Sequence, residues 1–198
     1  MSGVRVDLES LIYNIKRGDE KAFDELVRMY MEKAYSVALR FMRSDEDAQD
    51  IVQEAFLKVF INIEGYNEKY NFSSWFYRIL VNCCINALKK RDRRRFLSDL
   101  FQSGNKELEI DKFEIGKDNS IKDPEEDLIQ KEKKEIIMEG VYSLPEKQRD
   151  VLILYDIEGF SQQEISLILN IPVGSVMSRL FYGRKRLKKY LDKVLKEI

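Results

Sequence analysis

Apolar residues recur every three or four positions along most of the chain, and nowhere do they alternate with polar ones as in a strand. Leu8, Leu11, Ile12 and Ile15 predict a short helix over Asp7–Lys16, which Gly18-Asp19 ends while capping the next. Phe23, Leu26, Val27, Tyr30, Ala34, Val37, Ala38 and Phe41 predict a second helix over about 20–43. Ser44 with Asp47 signals a third, reaching about Ile63, whose stripe is Ala48, Ile51, Val52, Ala55, Phe56, Val59 and Phe60. An aromatic-rich loop over 65–72 follows. Ser73 is expected to cap a fourth helix, Ser74 to about Arg95, with Phe76, Ile79, Leu80, Cys83, Ala87 and Leu88 on its core side. Phe96–Pro124 loses all periodicity and reads as a connector. Helical spacing resumes over Glu125–Tyr142 (Leu128, Ile129, Ile136, Ile137, Val141) and again after Pro145 (Val151, Leu152, Leu154, Tyr155). The expected fold class is all-α: two small helical domains, 1–96 and 125–198, joined by a flexible linker at 97–124.

The stretch Ser161–Leu191 carries the plainest functional pattern. Ser161 followed by Glu164 has capping-box spacing, and Ile165, Ile168 and Leu169 give the short helix one apolar face. Asn170-Ile171-Pro172 should stop it, because proline lacks a backbone donor and disfavours helical geometry in the residue before it. A longer helix is expected from about Gly174, with Val176, Leu180, Gly183, Leu187, Leu191 and Val194 inward. Its other face holds Ser175, Ser178, Arg179, Tyr182, Lys185 and Lys189. Two helices, a tight turn and a basic second helix predict a helix-turn-helix DNA reader. An amphipathic hairpin whose charges only meet solvent would show the same spacing.

Charge adds segregation to this picture. The 34 basic and 35 acidic residues nearly balance, yet cations crowd Lys89–Arg95 and Arg184–Lys193 while acids crowd Glu107–Asp127. That pattern suggests two anion-binding surfaces separated by an acidic connector. At about 3.4 Å per residue the connector could stretch to about 90 Å, with a relaxed span nearer 30 Å. Successive turns of DNA lie about 34 Å apart, so one duplex could meet both modules. Histidine is absent, which excludes His-based catalysis and His-bearing zinc sites. Cys83 and Cys84 sit side by side and form neither metal-ligand spacing nor a disulfide framework. No catalytic residue, metal or cofactor is expected. No run approaches membrane-spanning length and the N-terminus lacks a signal-peptide core, so no membrane insertion and a cytoplasmic location are expected.

The fourth helix has a second face on which Trp75, Arg78, Asn82, Asn86, Lys89 and Arg93 recur at helical steps, ending in KKRDRRR. With Tyr66, Tyr70 and Phe72 in the preceding loop, it combines aromatics for stacking, amides for base edges and cations for phosphates. Any one of these aromatics could instead complete a small core. The third helix carries Asp47, Asp50, Gln53, Glu54 and Lys58 outward. Glu54 and Lys58 have the spacing of an ordinary helix pair worth a few tenths of a kcal/mol, and the same face could dock a partner.

DAQDIVQEAFLKVF (47–60), FSSWFYRILVNCCINALKKRDRR (72–94), LPEKQRDVLIL (144–154) and SQQEISLILNIPVGSVMSRLFYGRKRL (161–187) follow in the order of bacterial sigma-70 family sigma factors. The lean two-domain form resembles the extracytoplasmic-function class. This resemblance implies a protein that binds core RNA polymerase and directs it to promoter DNA. By it, Asp47, Asp50, Gln53 and Glu54 would dock against the polymerase clamp helices. Tyr66, Tyr70, Phe72, Trp75, Arg78, Asn82, Asn86, Lys89 and Arg93 would capture unpaired bases of the downstream promoter element, Asn82 at the place expected to read a flipped base. Gly174, Ser175, Met177, Ser178, Arg179, Phe181, Tyr182 and Lys185 would face the upstream element, and the connector would thread through the polymerase. An anti-sigma factor is a further implied partner. Met177 and Tyr182 stand where relatives often carry a cation, so upstream recognition is expected to lean on apolar contact. Two other classes remain open on the residues alone: a free-standing helix-turn-helix repressor or activator, and a metal-dependent nuclease using Asp47, Asp50 and Glu54.

Overall fold

The computed structural model describes residues 7–101 and 124–197, and among them there are eight α-helices and no strand. Contacts divide the chain into two compact units, with the break between the fourth and fifth helices.

The first unit contains α1 (Leu8–Lys16), α2 (Glu20–Met42), α3 (Asp45–Asn62) and α4 (Phe72–Phe101). The first three helices start on side-chain caps. Asp7 accepts from the Glu9 N–H, Asp19 from those of Lys21 and Ala22, and Ser44 from that of Asp47. The sharp turn between α1 and α2 uses Gly18 at φ 83°, a conformation that costs glycine nothing. Leu26, Ala34, Val37 and Ala38 of α2 are fully buried, with Ala48, Ala55 and Val59 of α3 and Phe76, Leu80 and Val81 of α4. Burial of each large apolar side chain stabilises the unit by roughly 1.5–3 kcal/mol. At one end Tyr30, Phe56, Phe72, Phe76 and Tyr77 form an aromatic cluster with centroid separations of 5.0–6.4 Å.

The second unit contains α5 (Pro124–Tyr142), α6 (Glu146–Leu152), α7 (Gln162–Leu169) and α8 (Val173–Glu197). After α6 one π-type turn covers Ile153–Ile157, closed by the Glu158 N–H donating to the Ile153 carbonyl at 2.9 Å. Two glycines set the spacing of α8. A Cβ on Gly183 would lie 2.4 Å from Leu152 Cδ1, and one on Gly140 2.6 Å from Leu187 Cδ1. In both places a neighbouring leucine side chain fills the space that a Cβ would need.

The structure corrects several expectations. The side chain of Asn71, not Ser73, caps α4, accepting from the Ser74 N–H at 3.3 Å, so the helix opens at Phe72. It then runs past residue 96 to Phe101, because no breaker occurs before Gly104 and its arginines and leucines favour helix. The N-terminal unit therefore takes in 97–101 of the expected connector, and Pro124 at its other end opens α5. Between them 102–123 lie outside the described residues, and so do the connector's expected threading and reach. Phe60 and Ile137, assigned to core stripes, are 45% exposed each, because three- to four-residue spacing drifts around a helix and carries marginal positions off the buried face. Met138 is buried beside Ile137 instead.

Candidate nucleic-acid interfaces

On α3 the stripe from Ala48 to Val59 is buried, which turns Asp50, Gln53 and Glu54 to solvent on one face. Asp47 is partly covered, its carboxylate 3.8 Å from the Arg91 guanidinium of α4. Glu54 pairs with Lys58 at 2.6 Å, and this bond is the main reason the Lys58 ammonium is held above its ordinary pKa. Two apolar side chains extend the same face: Leu57 is 58% exposed and Ile61 66%. Sequence reasoning missed them, although both fall off the buried stripe at helical steps from Gln53 and Glu54. Among the described residues no three acidic or cysteine side chains stand close enough to hold a metal ion.

Along α4, Arg78, Asn82, Asn86, Lys89 and Arg93 are all exposed, one turn apart, while the opposite side enters the core. Trp75 heads this row half-buried, its ring 5.1 Å from that of Tyr66 and 5.6 Å from that of Phe72. The aromatic loop departs from the set of stacking platforms expected of it. Tyr66 and Phe72 are 7% and 3% exposed and belong to the core. The Tyr66 hydroxyl donates to the Tyr70 carbonyl at 2.5 Å, and Lys16 of α1 donates to the Tyr66 carbonyl at 3.3 Å. These bonds hold Tyr66 inward, and Phe72 packs against the Tyr30 and Tyr66 rings at 5.5 and 5.3 Å, so only Tyr70 stands free in the loop, at 63% exposure.

In the second unit the expected capping box forms. The Glu164 N–H donates to Ser161 Oγ at 3.2 Å, and the Ser161 N–H donates to Glu164 Oε2 at 2.8 Å. Asn170 takes a left-handed conformation, φ 53°, which asparagine tolerates, and α7 and α8 meet at 105°. The turn is locked by Ser166, whose hydroxyl donates to the Ile171 carbonyl at 2.6 Å. With Ile165, Ile168, Val176 and Leu180 buried, α8 is fixed in rotation. Gly174, Met177, Ser178, Phe181, Tyr182 and Lys185 then lie exposed, and Ser175 and Arg179 partly so. Ser178 Oγ donates to its own helix at the Ser175 carbonyl. Arg184 is occupied by an ion pair with Asp156 and lies over the Tyr155 ring, 5.2 Å from its centroid. A groove of about 490 Å³ runs between Gln162 and α8, lined by Met177, Phe181, Lys185 and Lys188 among others. Beneath α8 lies a residue the sequence did not point to. Asp150 of α6 is 6% exposed, and burial pushes its carboxyl from the ordinary 3.8 to about 7 against the opposing pull of Arg149.

Two family models match the two units. The model for sigma-70 region 2 covers residues 26–94, and that for sigma-70 region 4 covers residues 134–187. The chain is 34% identical over 184 residues to ECF RNA polymerase sigma factor SigW of Bacillus subtilis (strain 168), covering 93% of this chain and 96% of that one. It is 33% identical over 187 residues to ECF RNA polymerase sigma-E factor of Escherichia coli (strain K12), covering 94% and 95%. In fold it is similar to the sigma factor RpoE solved with the anti-sigma factor NepR from Bartonella quintana. The TM-score is 0.63 at 21% identity, over 87% of this chain and 98% of that one. With both family regions in place and curated relatives matched over nearly their whole length, the chain belongs to the sigma-70 family of RNA polymerase sigma factors, in the extracytoplasmic-function class.

Proposed function

We propose that this sigma factor divides promoter reading between its two units. The α4 row captures single-stranded bases of the downstream element, and α8 anchors the chain in the major groove of the upstream element. The observation that carries the reading is the exposed series Arg78, Asn82, Asn86, Lys89 and Arg93, headed by half-buried Trp75 and preceded in the chain by exposed Tyr70. Opening a duplex requires a place for unstacked bases, and an aromatic platform supplies about 1–3 kcal/mol per base. Tyr70 and Trp75 are the platforms, Asn82 and Asn86 reach base edges, and Arg78, Lys89 and Arg93 hold phosphates. Tyr66 and Phe72 shape this site from within.

The face of α3 at Asp50, Gln53 and Glu54, widened by Leu57 and Ile61, docks core RNA polymerase, with Asp47 at its edge. Exposed Leu57 and Ile61 support this role, because isolated surface acids need no apolar neighbours whereas a helix-docking surface does. On α8, Arg179 and Lys185 meet phosphates, while Gly174 lets the backbone approach the duplex. Ser175, Ser178, Met177, Phe181 and Tyr182 face base edges, the last three favouring thymine methyl groups. An anti-sigma factor covering these surfaces is the regulating partner. The protein works in the cytoplasm, by binding alone, with no catalytic residue, metal or cofactor of its own.

Run-off transcription with core RNA polymerase on fragmented genomic DNA tests the reading and reports the promoter sequence. Transcripts starting at a shared two-part element are the expected result. Stimulation only in the presence of another sigma factor would identify a free-standing activator instead.

A further inference from the structure

Lys16 closes α1 and reaches the loop that carries Tyr70. Its Nζ donates to the Tyr66 carbonyl at 3.3 Å and to Glu68 Oε1 at 2.9 Å, and lies 5.8 Å from the Tyr66 ring centroid. The lysine side chain is 21% exposed and that of Glu68 68%, so the ion pair alone counts for little. The bond to the carbonyl differs, being charge-assisted and made to a main-chain atom that moves only with the loop. From Tyr66 the constraint passes to Tyr70. The Tyr66 hydroxyl donates to the Tyr70 carbonyl at 2.5 Å, and the Tyr70 N–H donates to the Asn67 carbonyl at 3.0 Å. The backbone of Tyr70 is thus held through both its polar groups while the residue remains exposed. The other end is anchored as well. Leu11, Ile12 and Ile15 are buried, and α1 packs on α2 and on the single helical turn Ile63–Gly65 that leads into the loop. α1 itself precedes residues 26–94, which the region 2 model covers.

We propose that Lys16 is a positioning residue for promoter opening: from α1 it holds the Tyr66–Tyr70 loop, so that Tyr70 meets an unstacked base without first ordering its own backbone. The proposal rests on the reading of Tyr70 as a base platform. A loop that must be ordered at the moment of capture weakens binding, and one ordered beforehand does not. Lys16 acts through Tyr66 and not on DNA, because its ammonium is already engaged by the loop and mostly covered.

The test uses the full chain assembled with core RNA polymerase and follows opening of a duplex promoter by permanganate reactivity. Lys16→Met keeps the length of the side chain and removes the donor, and should slow opening about three- to tenfold. Lys16→Arg, which keeps a charged donor, should restore most of the rate. Tyr66→Phe removes the hydroxyl bond to Tyr70 and should slow opening as well. In a Tyr70→Ala background Lys16→Met should add little, because both act on one platform. In the free chain Trp75, the one tryptophan, lies 5.1 Å from the Tyr66 ring and reports the loop. Its emission should shift to the red in Lys16→Met and return in Lys16→Arg. Slowing that is undiminished in the Tyr70→Ala background, or that leaves Trp75 emission unchanged, overturns the proposal. So does a shallower salt dependence of promoter binding in Lys16→Met, which would make Lys16 a phosphate contact. If Tyr70→Ala slows opening and Lys16→Met does not, the positioning role falls and the platform stands. Wild-type opening by Tyr70→Ala would remove the platform itself, and the role of Lys16 with it.

Discussion

Lys58 of α3 donates to the Cys83 thiol of α4 at 3.3 Å while pairing with Glu54 one turn earlier on its own helix. One ammonium therefore joins the rim of the proposed polymerase face to the packing between α3 and α4. Burial pushes the Cys83 thiol above its ordinary pKa, and Lys58 opposes that shift without reversing it. Glu54 and Lys58 are themselves about half exposed, so their pair adds little to stability.

Charge reversal at Asp50 and Glu54 should accordingly weaken association with core polymerase while changing fold stability by less than about 1 kcal/mol. Leu57→Asp should act in the same direction, because its side chain contributes surface rather than core. Co-purification with polymerase and urea unfolding, measured side by side, check both. Normal co-purification of the reversed variant would remove the docking role from this face.

The aromatic loop should separate into two classes. Phe72→Ala should cost about 3–5 kcal/mol as a core truncation. Tyr70→Ala should leave unfolding unchanged and slow open-complex formation, and Asn82→Ala should impair opening more than duplex binding. Permanganate reactivity of promoter thymines reports opening. Wild-type reactivity in both variants would leave the α4 row without a role in melting.

Ser161→Ala removes the side-chain acceptor that holds the first turn of α7, and should destabilise the second unit by about 1 kcal/mol. Ser161→Asn should recover most of this. Far-UV circular dichroism of the denaturant transition is a sufficient measure.

Gly183→Ala sets two effects against each other. Alanine gains about 1 kcal/mol of helix propensity, but its Cβ would meet buried Leu152, and overpacking costs about 1–3 kcal/mol. Net destabilisation is expected, with weaker upstream binding as α8 shifts on α6. A more stable variant with unchanged DNA affinity would show that Leu152 turns aside freely.

Asp150 also makes the stability of the second unit pH-dependent. Its folded carboxyl titrates at about 7 rather than 3.8, so between those values the folded state holds a proton that the unfolded chain has lost. The advantage is complete below about pH 4 and is lost as pH rises through 7. Asp150→Asn should therefore stabilise α6 and α8 most at pH 8, and progressively less toward pH 4. Amide exchange compared between variant and wild type at each pH follows this. A gain that grows on acidification would contradict the burial of an ionisable carboxyl.

Local chemistry was legible in the chain itself. Helical periodicity, the Asp19, Ser44 and Ser161 caps and the Asn170-Ile171-Pro172 break depend on neighbours within a few residues, so the helix-turn-helix and the α4 row were visible before any fold was known. What depended on distant segments was not. Lys16, far back in the chain, bonds the Tyr66 carbonyl and helps make Tyr66 core rather than platform. The choice of Asn71 over Ser73 as cap, and the exposure of Leu57, Phe60 and Ile61, follow from how α3 and α4 rotate against their neighbours. Asp150 reads in sequence as one more acid on an amphipathic helix. Folding of the second unit buries it, and desolvation is a property of the packed unit that no stretch of sequence carries alone.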